Sequence, residues 1–131
     1  MSNMSLVILG ASGDLTKRLL MPSLFELHKL GLIPSLNIIG YSIDKWNRDD
    51  FVKHLHDFLA GSDKNFDEAE WQKFSKHLDF VSGSLEASEL KQLETKMNGS
   101  ALFYLALPPT LFGQAALAIG EAGLAQEEGE N

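Results

Sequence analysis

Leu6-Val7-Ile8-Leu9 is an uninterrupted apolar stretch that stops at Gly10. A run without polar alternation is what a central parallel strand presents, because both of its faces are covered. The period then changes. After a turn at Gly10-Ala11-Ser12-Gly13, with Asp14 placed to open a helix, Leu20, Leu24, Leu27 and Leu30 recur at helical spacing. Pro22 lies inside that pattern and removes one helical hydrogen bond, so a kink or restart is expected there. Gly31 suits a left-handed cap, and Pro34 prevents continuation. A second strand is predicted at Asn37-Ile38-Ile39-Gly40-Tyr41. Asn47, with Asp50 three positions on, forms a capping-box-like start to a helix carrying Phe51, Leu55, Phe58 and Leu59.

Gly61 to Asn65 reads as a polar loop, and Trp71, Phe74 and Leu78 as one face of a further helix. Phe80-Val81 is a short strand candidate, followed by a helix bearing Leu90, Leu93 and Met97 and closed by Asn98-Gly99. The run Ala101 to Leu107 predicts a fourth strand, stopped by Pro108-Pro109, which have no N–H for a ladder. Thr110 is placed to cap a final helix through Ile119. Strands alternating with helices predict an α/β fold: a Rossmann-like, doubly wound parallel sheet with helices on both faces and right-handed crossovers. No internal repeat, low-complexity segment or linker divides the chain.

Composition narrows the functional classes. The chain has 131 residues, 44% of them hydrophobic and 22% charged, the balance of one globular domain rather than a disordered or coiled-coil chain. No stretch of about 20 apolar residues predicts a membrane span, and Met1-Ser2-Asn3-Met4 lacks the flanks of a signal peptide. With no cysteine, disulfides, thiolate zinc sites and catalytic thiols are excluded, and a cytoplasmic setting is expected. The net charge of −7 disfavours nucleic acid as a partner, since that binding feeds on Lys and Arg.

The chemistry concentrates in the glycine turn. In a doubly wound sheet, ligands bind beyond the carboxyl ends of the strands, at the switch point. Gly10 and Gly13 permit close backbone approach to a pyrophosphate, and the helix start adds N–H groups and the positive end of its dipole. The spacing is Gly-x-x-Gly, because Ser12 and Leu15 occupy the second and third positions of the fuller Gly-x-Gly-x-x-Gly pattern. Two readings stay open at this level: a dinucleotide cradle, or a tight strand-to-helix turn without a ligand.

The string Gly10-Ala11-Ser12-Gly13-Asp14-Leu15-Thr16-Lys17-Arg18, then Leu20, Pro22 and Leu24, resembles the amino-terminal signature of glucose-6-phosphate dehydrogenases. Ile39-Gly40-Tyr41, Trp46 and Phe51 are similar to that family's second strand and following helix. Phe103-Tyr104-Leu105-Ala106-Leu107-Pro108-Pro109 resembles its F-Y-L-A-x-P-P segment. The segments occur in order over essentially the whole chain. The resemblance implies an NADP-binding domain of an enzyme that oxidises glucose 6-phosphate to 6-phosphogluconolactone, the first step of the pentose phosphate pathway. By that similarity Gly10, Ser12, Gly13, Asp14 and Leu15 would cradle the pyrophosphate, and Ala106, Leu107 and Pro108 would line the cleft towards the nicotinamide. Tyr41, Ser42, Asp44 and Lys45, at and beyond the end of the second strand, are the candidates for the adenosine side.

Two positions depart from the family pattern. Where the family has a lysine after Arg18, this chain has Leu19, which offers no charge to a sugar phosphate and is read as a helix residue turned into the core. Where the family places the arginine that meets the 2′-phosphate, this chain has Ile43, followed by Asp44. An acidic residue there favours ribose hydroxyls and NAD, while Lys45 and Arg48 remain as sources of positive charge; NADP is expected by family precedent, with NAD open. These departures keep a second reading alive, a divergent nucleotide-binding module.

No metal site or catalytic residue is assigned. His54 and His56 point apart on a helix, His28 and His77 are read as isolated, and the family's R-I-D-H-Y-type motif with its catalytic histidine does not occur in the chain. Residues 1–131 are therefore expected to form an incomplete coenzyme domain without the catalytic sugar-binding domain, binding coenzyme without turnover. No basic residue follows Lys96, and the acidic end Gln126-Glu127-Glu128-Gly129-Glu130-Asn131 reads as an exposed loop. A sheet stopping after its fourth strand would expose an edge open to a homo-oligomer.

Overall fold

The computed structural model describes residues 4–97 and 100–124. The helix closure expected at Asn98-Gly99 and the acidic end lie outside the described residues. Four strands, β1 (Met4–Leu9), β2 (Leu36–Ser42), β3 (Leu78–Ser82) and β4 (Ser100–Leu105), form one parallel sheet in the order β3-β2-β1-β4. The chain winds outward from β1 to β3, then crosses back to lay β4 on the other side of β1. The switch point thus falls between β1 and β4.

Burial explains the unbroken apolar run. Val7, Ile8 and Leu9 are all fully inaccessible. Ile8 faces a core layer with α1 (Met21–Lys29), α2 (Arg48–Ser62) and α3 (Glu68–Phe74). Val7 and Leu9 face a second layer with α4 (Ala87–Leu90), the 3-10 turns that follow it and α5 (Phe112–Glu121). Helices cover both faces, as the alternation predicts. Gly40 in β2 makes room for α2: a Cβ there would sit 2.7 Å from the Phe51 ring.

The capping signals are realised closely. Asn47 Oδ1 accepts from the Asp50 N–H at 2.8 Å, and Asp50 Oδ2 accepts from the Asn47 N–H at 3.0 Å, a complete capping box. Gly31 takes φ +74° and Leu32 N–H donates to Leu27 O at 3.0 Å, so α1 ends in a left-handed cap. The restart near Pro22 takes a definite form. A π-helical turn, Thr16–Leu20, hands over to α1 at Met21, whose N–H donates to Thr16 O five residues back, and Pro22 follows directly on this widened turn.

Several local expectations are corrected. Leu78 opens β3 instead of extending the helix of Trp71 and Phe74, because the 3-10 turn Ser75–His77 ends the helical path first. The helix of Leu90, Leu93 and Met97 is one α turn, Ala87–Leu90, continued as the 3-10 turn Lys91–Thr95, with Met97 outside it. β4 ends at Leu105, and Ala106 and Leu107 belong to the turn beyond it. Thr110 lies within a 3-10 turn, Pro109–Leu111, and α5 starts after Leu111 without a side-chain cap. Leu19 does not face the core; it is 63% exposed. At the sheet's edge, β4 leaves Leu102 and Tyr104 exposed among the described residues.

The histidines are structural, though not isolated. His28 stacks on Phe25 and lies 5.9 Å from the ring of His77; its Nε2 approaches Glu70 Oε1 at 3.4 Å, near enough for an ion pair but not aligned as a hydrogen bond. His54 packs on Trp46 at 4.8 Å, and its burial lowers its pKa. His56 joins α2 to the start of α3: Nε2 is 2.7 Å from Glu68 Oε1 and Nδ1 is 3.3 Å from Asp57 Oδ1. The Glu68 bond, with the smaller help of Asp57, raises His56 above its ordinary value of 6.5, and the same bond lowers Glu68 below 4.5. A raised histidine stabilises fully below its unfolded pKa and loses that contribution as pH climbs through the folded value. The lowered Glu68 contributes above its ordinary value and fails only in acid. Because the lowered His54 acts with the opposite sign over the same range, the expected result of thermal melts is relative: from about pH 6 to about pH 8 the Tm falls modestly against that of His56→Gln. An equal fall in the variant would remove His56 as the cause.

Candidate functional site

The site grows from the carboxyl ends of three strands. Ala106 N–H donates to Leu9 O at 2.9 Å, extending the β1–β4 ladder past β4 and bringing the Ala106 carbonyl over Gly10. A Cβ on Gly10 would overlap that carbonyl oxygen, and Gly10 has φ +85°. Both the contact and the dihedral require glycine. On the other side, Gly10 N–H and Ala11 N–H donate to Tyr41 O at 2.8 and 3.2 Å, tying the turn to β2. Gly13 N–H folds back to Gly10 O at 3.1 Å. Beyond it the helix opens, and the first N–H groups of any helix lack intrahelical acceptors. With those three N–H groups committed, it is the helix start beyond Gly13 that offers backbone donors and the positive end of a dipole at the switch point, as an anionic pyrophosphate requires.

A cleft of about 210 Å³ opens beside this turn. Of the residues singled out from sequence, Gly10, Ser12, Tyr41, Ser42, Asp44 and Leu107 line it. Gly13, Asp14 and Leu15 follow directly in the turn and are exposed, with Asp14 carboxylate oxygens 3.6 Å from Lys17 Nζ and 3.5 Å from Arg18 Nε. Both cations also lie over the Phe58 ring, at 5.3 and 5.4 Å. Ala106 meets the cleft through its contact with Gly10, whereas Pro108 and Lys45 are exposed outside it.

Tyr41 serves as a wall. It is 1% exposed, its hydroxyl donates to Ser84 O at 2.6 Å, and burial, with the Glu89 charge behind it, pushes its pKa up to about 12. Gly83 allows this, since any Cβ there would overlap the Tyr41 hydroxyl. Gly83, Leu85 and Leu111 line the cleft and were not singled out in the sequence; so does the exposed Ile43. The rule that ligands sit beyond every strand end would have pointed to Gly83, directly after β3. Arg48, a candidate cation in the sequence, is committed elsewhere. Its Nε and Nη2 donate to Leu78 O at 2.9 Å and Ser75 O at 2.6 Å, at the amino end of β3, opposite the cleft. Among the described residues, no group of three His, Asp or Glu side chains is arranged to hold a metal ion, and no helix is long and apolar enough to cross a membrane.

A four-stranded parallel sheet switching at β1/β4, with a glycine turn and a cleft at that switch, defines a Rossmann-like domain of the dinucleotide-binding class. Comparison with known proteins is specific within it. Residues 7–131 match the family described as glucose-6-phosphate dehydrogenase, NAD binding domain, and the chain belongs to that family. It is 40% identical over 128 residues to glucose-6-phosphate 1-dehydrogenase of Dickeya dadantii, covering 93% of this chain and 26% of that protein. To the cytoplasmic isoform of the Solanum tuberosum enzyme it is 32% identical, covering 83% and 24%. The crystal structure of glucose-6-phosphate 1-dehydrogenase from Mycobacterium avium superposes with a TM-score of 0.86 at 25% identity, covering 96% of this chain and 28% of that one. A glucose-6-phosphate dehydrogenase in complex with its substrate superposes at 0.80 with 32% identity, covering the same shares. The chain spans about a quarter of the length of these relatives.

Proposed function

We propose that residues 1–131 are the coenzyme-binding domain of a cytoplasmic glucose-6-phosphate dehydrogenase, working within a longer enzyme that oxidises glucose 6-phosphate to 6-phosphogluconolactone. The observation that carries this reading is the Gly10 turn at the β1/β4 switch, where backbone donors and the cleft lie together in a chain of this family. The bound nicotinamide dinucleotide would accept a hydride from the sugar carbon. Gly10, Ser12, Gly13, Asp14 and Leu15 would hold its pyrophosphate, Tyr41, Ser42, Asp44 and Lys45 its adenosine side, and Ala106, Leu107 and Pro108 would border the nicotinamide. NADP is the coenzyme the family resemblance implies.

Hydride transfer also requires a base for the sugar hydroxyl, and no R-I-D-H-Y-type motif supplies one in this chain. The expected result is therefore binding without turnover. The 131-residue chain should bind NADP or NAD in a calorimetric titration and yield no reduced coenzyme when mixed with glucose 6-phosphate. Appreciable reduction would overturn the division of labour; failure to bind either dinucleotide would overturn the site itself.

A further inference from the structure

The end of β2 disagrees with the coenzyme that family precedent implies. In doubly wound folds the adenosine ribose lies beyond the second strand, where an acidic side chain accepts from the ribose hydroxyls, or an arginine receives a 2′-phosphate. Here the acid is present and the arginine is missing. Ser42 Oγ donates to Asp44 Oδ2 at 3.0 Å and accepts from the Asp44 N–H at 3.2 Å, so the carboxylate is held in place at the cleft it lines. The intervening Ile43 is 73% exposed and carries no charge.

The surrounding cations do not compensate. Arg48 is spent on the Leu78 and Ser75 carbonyls at the far end of β3 and pairs with Asp49 at 3.3 Å. Lys17 is drawn to Asp14 and the Phe58 ring. Lys45 alone is adjacent in sequence, and it does not line the cleft. A dianionic 2′-phosphate would meet a fixed carboxylate before any matching cation, whereas two ribose hydroxyls would meet a ready acceptor.

We propose that this site selects NAD over NADP, with Asp44 as the specificity-determining residue that accepts from the adenosine ribose hydroxyls and repels a 2′-phosphate. The inference rests on the reading of the cleft as a dinucleotide site, and its test separates the two. The chain, Asp44→Asn and Asp44→Ala are titrated with NAD and NADP, and with 5′-ADP and 2′,5′-ADP as probes of the adenosine half alone. The native chain is expected to bind NAD at least about ten-fold more tightly than NADP, and 5′-ADP more tightly than 2′,5′-ADP. Both variants should close most of that gap, chiefly by gaining affinity for the 2′-phosphorylated ligands. Rising salt should improve NADP binding to the native chain and not to the variants, because only the native site repels the phosphate. Tighter binding of NADP than NAD by the native chain overturns the selectivity and leaves the dinucleotide site standing. A preference for NAD that persists in both variants overturns the role of Asp44. Binding of neither dinucleotide overturns the site and this inference together.

Discussion

Alanine at Gly10 is expected to abolish dinucleotide binding and to lower stability by about 2–4 kcal/mol. Two costs combine. The dihedral of φ +85° is one that L side chains rarely adopt, and the new methyl would overlap the Ala106 carbonyl oxygen. That oxygen is backbone and cannot turn aside as a side chain would. Its own N–H is bonded to Leu9, so relief requires parting β1 from the end of β4 at the switch point. Denaturant melts and coenzyme titration of the variant measure both effects. Gly31→Ala is the control: its φ of +74° is equally unfavourable, yet nothing lies within 4 Å, so it should cost only about 1–2 kcal/mol and leave binding intact. Native-like binding by Gly10→Ala would show that the contact with Ala106 does not shape the cleft.

The second large effect lies in the aromatic cluster between α1 and α3. Trp71→Ala should cost about 3–5 kcal/mol. Trp71 is 1% exposed and packs at 5.4 Å against both Phe25 and Phe74, edge-on to the former at 83°. These rings join α1 to α3 and none of them lines the cleft, so the folded fraction should keep its coenzyme affinity. Urea melts test the stability, and titration below the transition tests the affinity. A loss under 1 kcal/mol would mean that neighbouring side chains collapse into the space.

The contrast between these two positions shows what was legible in the sequence. Strands buried on both faces, the Asn47/Asp50 capping box and the Gly31 cap each depend on residues near one another in the chain, and each is realised. The mistaken helical assignment of Leu78 came from a spacing that fits a helix face, while its burial comes from β3 pairing with β2. Thr110 has the chemistry of a cap, but the 3-10 turn after Pro108 sets the start of α5 instead. Leu19, read as a helix residue turned into the core, is left outside by the π-helical turn.

At the site, the glycine turn could be read from local spacing because the left-handed dihedral of Gly10 is a local demand, whereas its contact with the Ala106 carbonyl left no local sign. The commitment of Arg48 to the Ser75 and Leu78 carbonyls joins residues 27 and 30 positions apart, and the pairing of Tyr41 with Ser84 spans 43. No periodicity encodes such contacts. They nonetheless decide which charges face the cleft and which side chain forms its wall.

The strand order has a consequence for how the molecule comes to be made. β1 sits inside the sheet, pairing Met4 with Leu36 on one side and with Ser100 on the other. During synthesis the first partner, at Leu36, arrives early and the second only once the chain has emerged as far as Ser100. Until then one side of the most apolar strand has an open ladder, and the half of the cleft formed by Ala106 does not exist. Non-local pairing of this kind slows folding and prolongs exposure to aggregation. Nascent chains arrested before β4 are expected to engage chaperones strongly, and coenzyme cannot assist folding until β4 has docked.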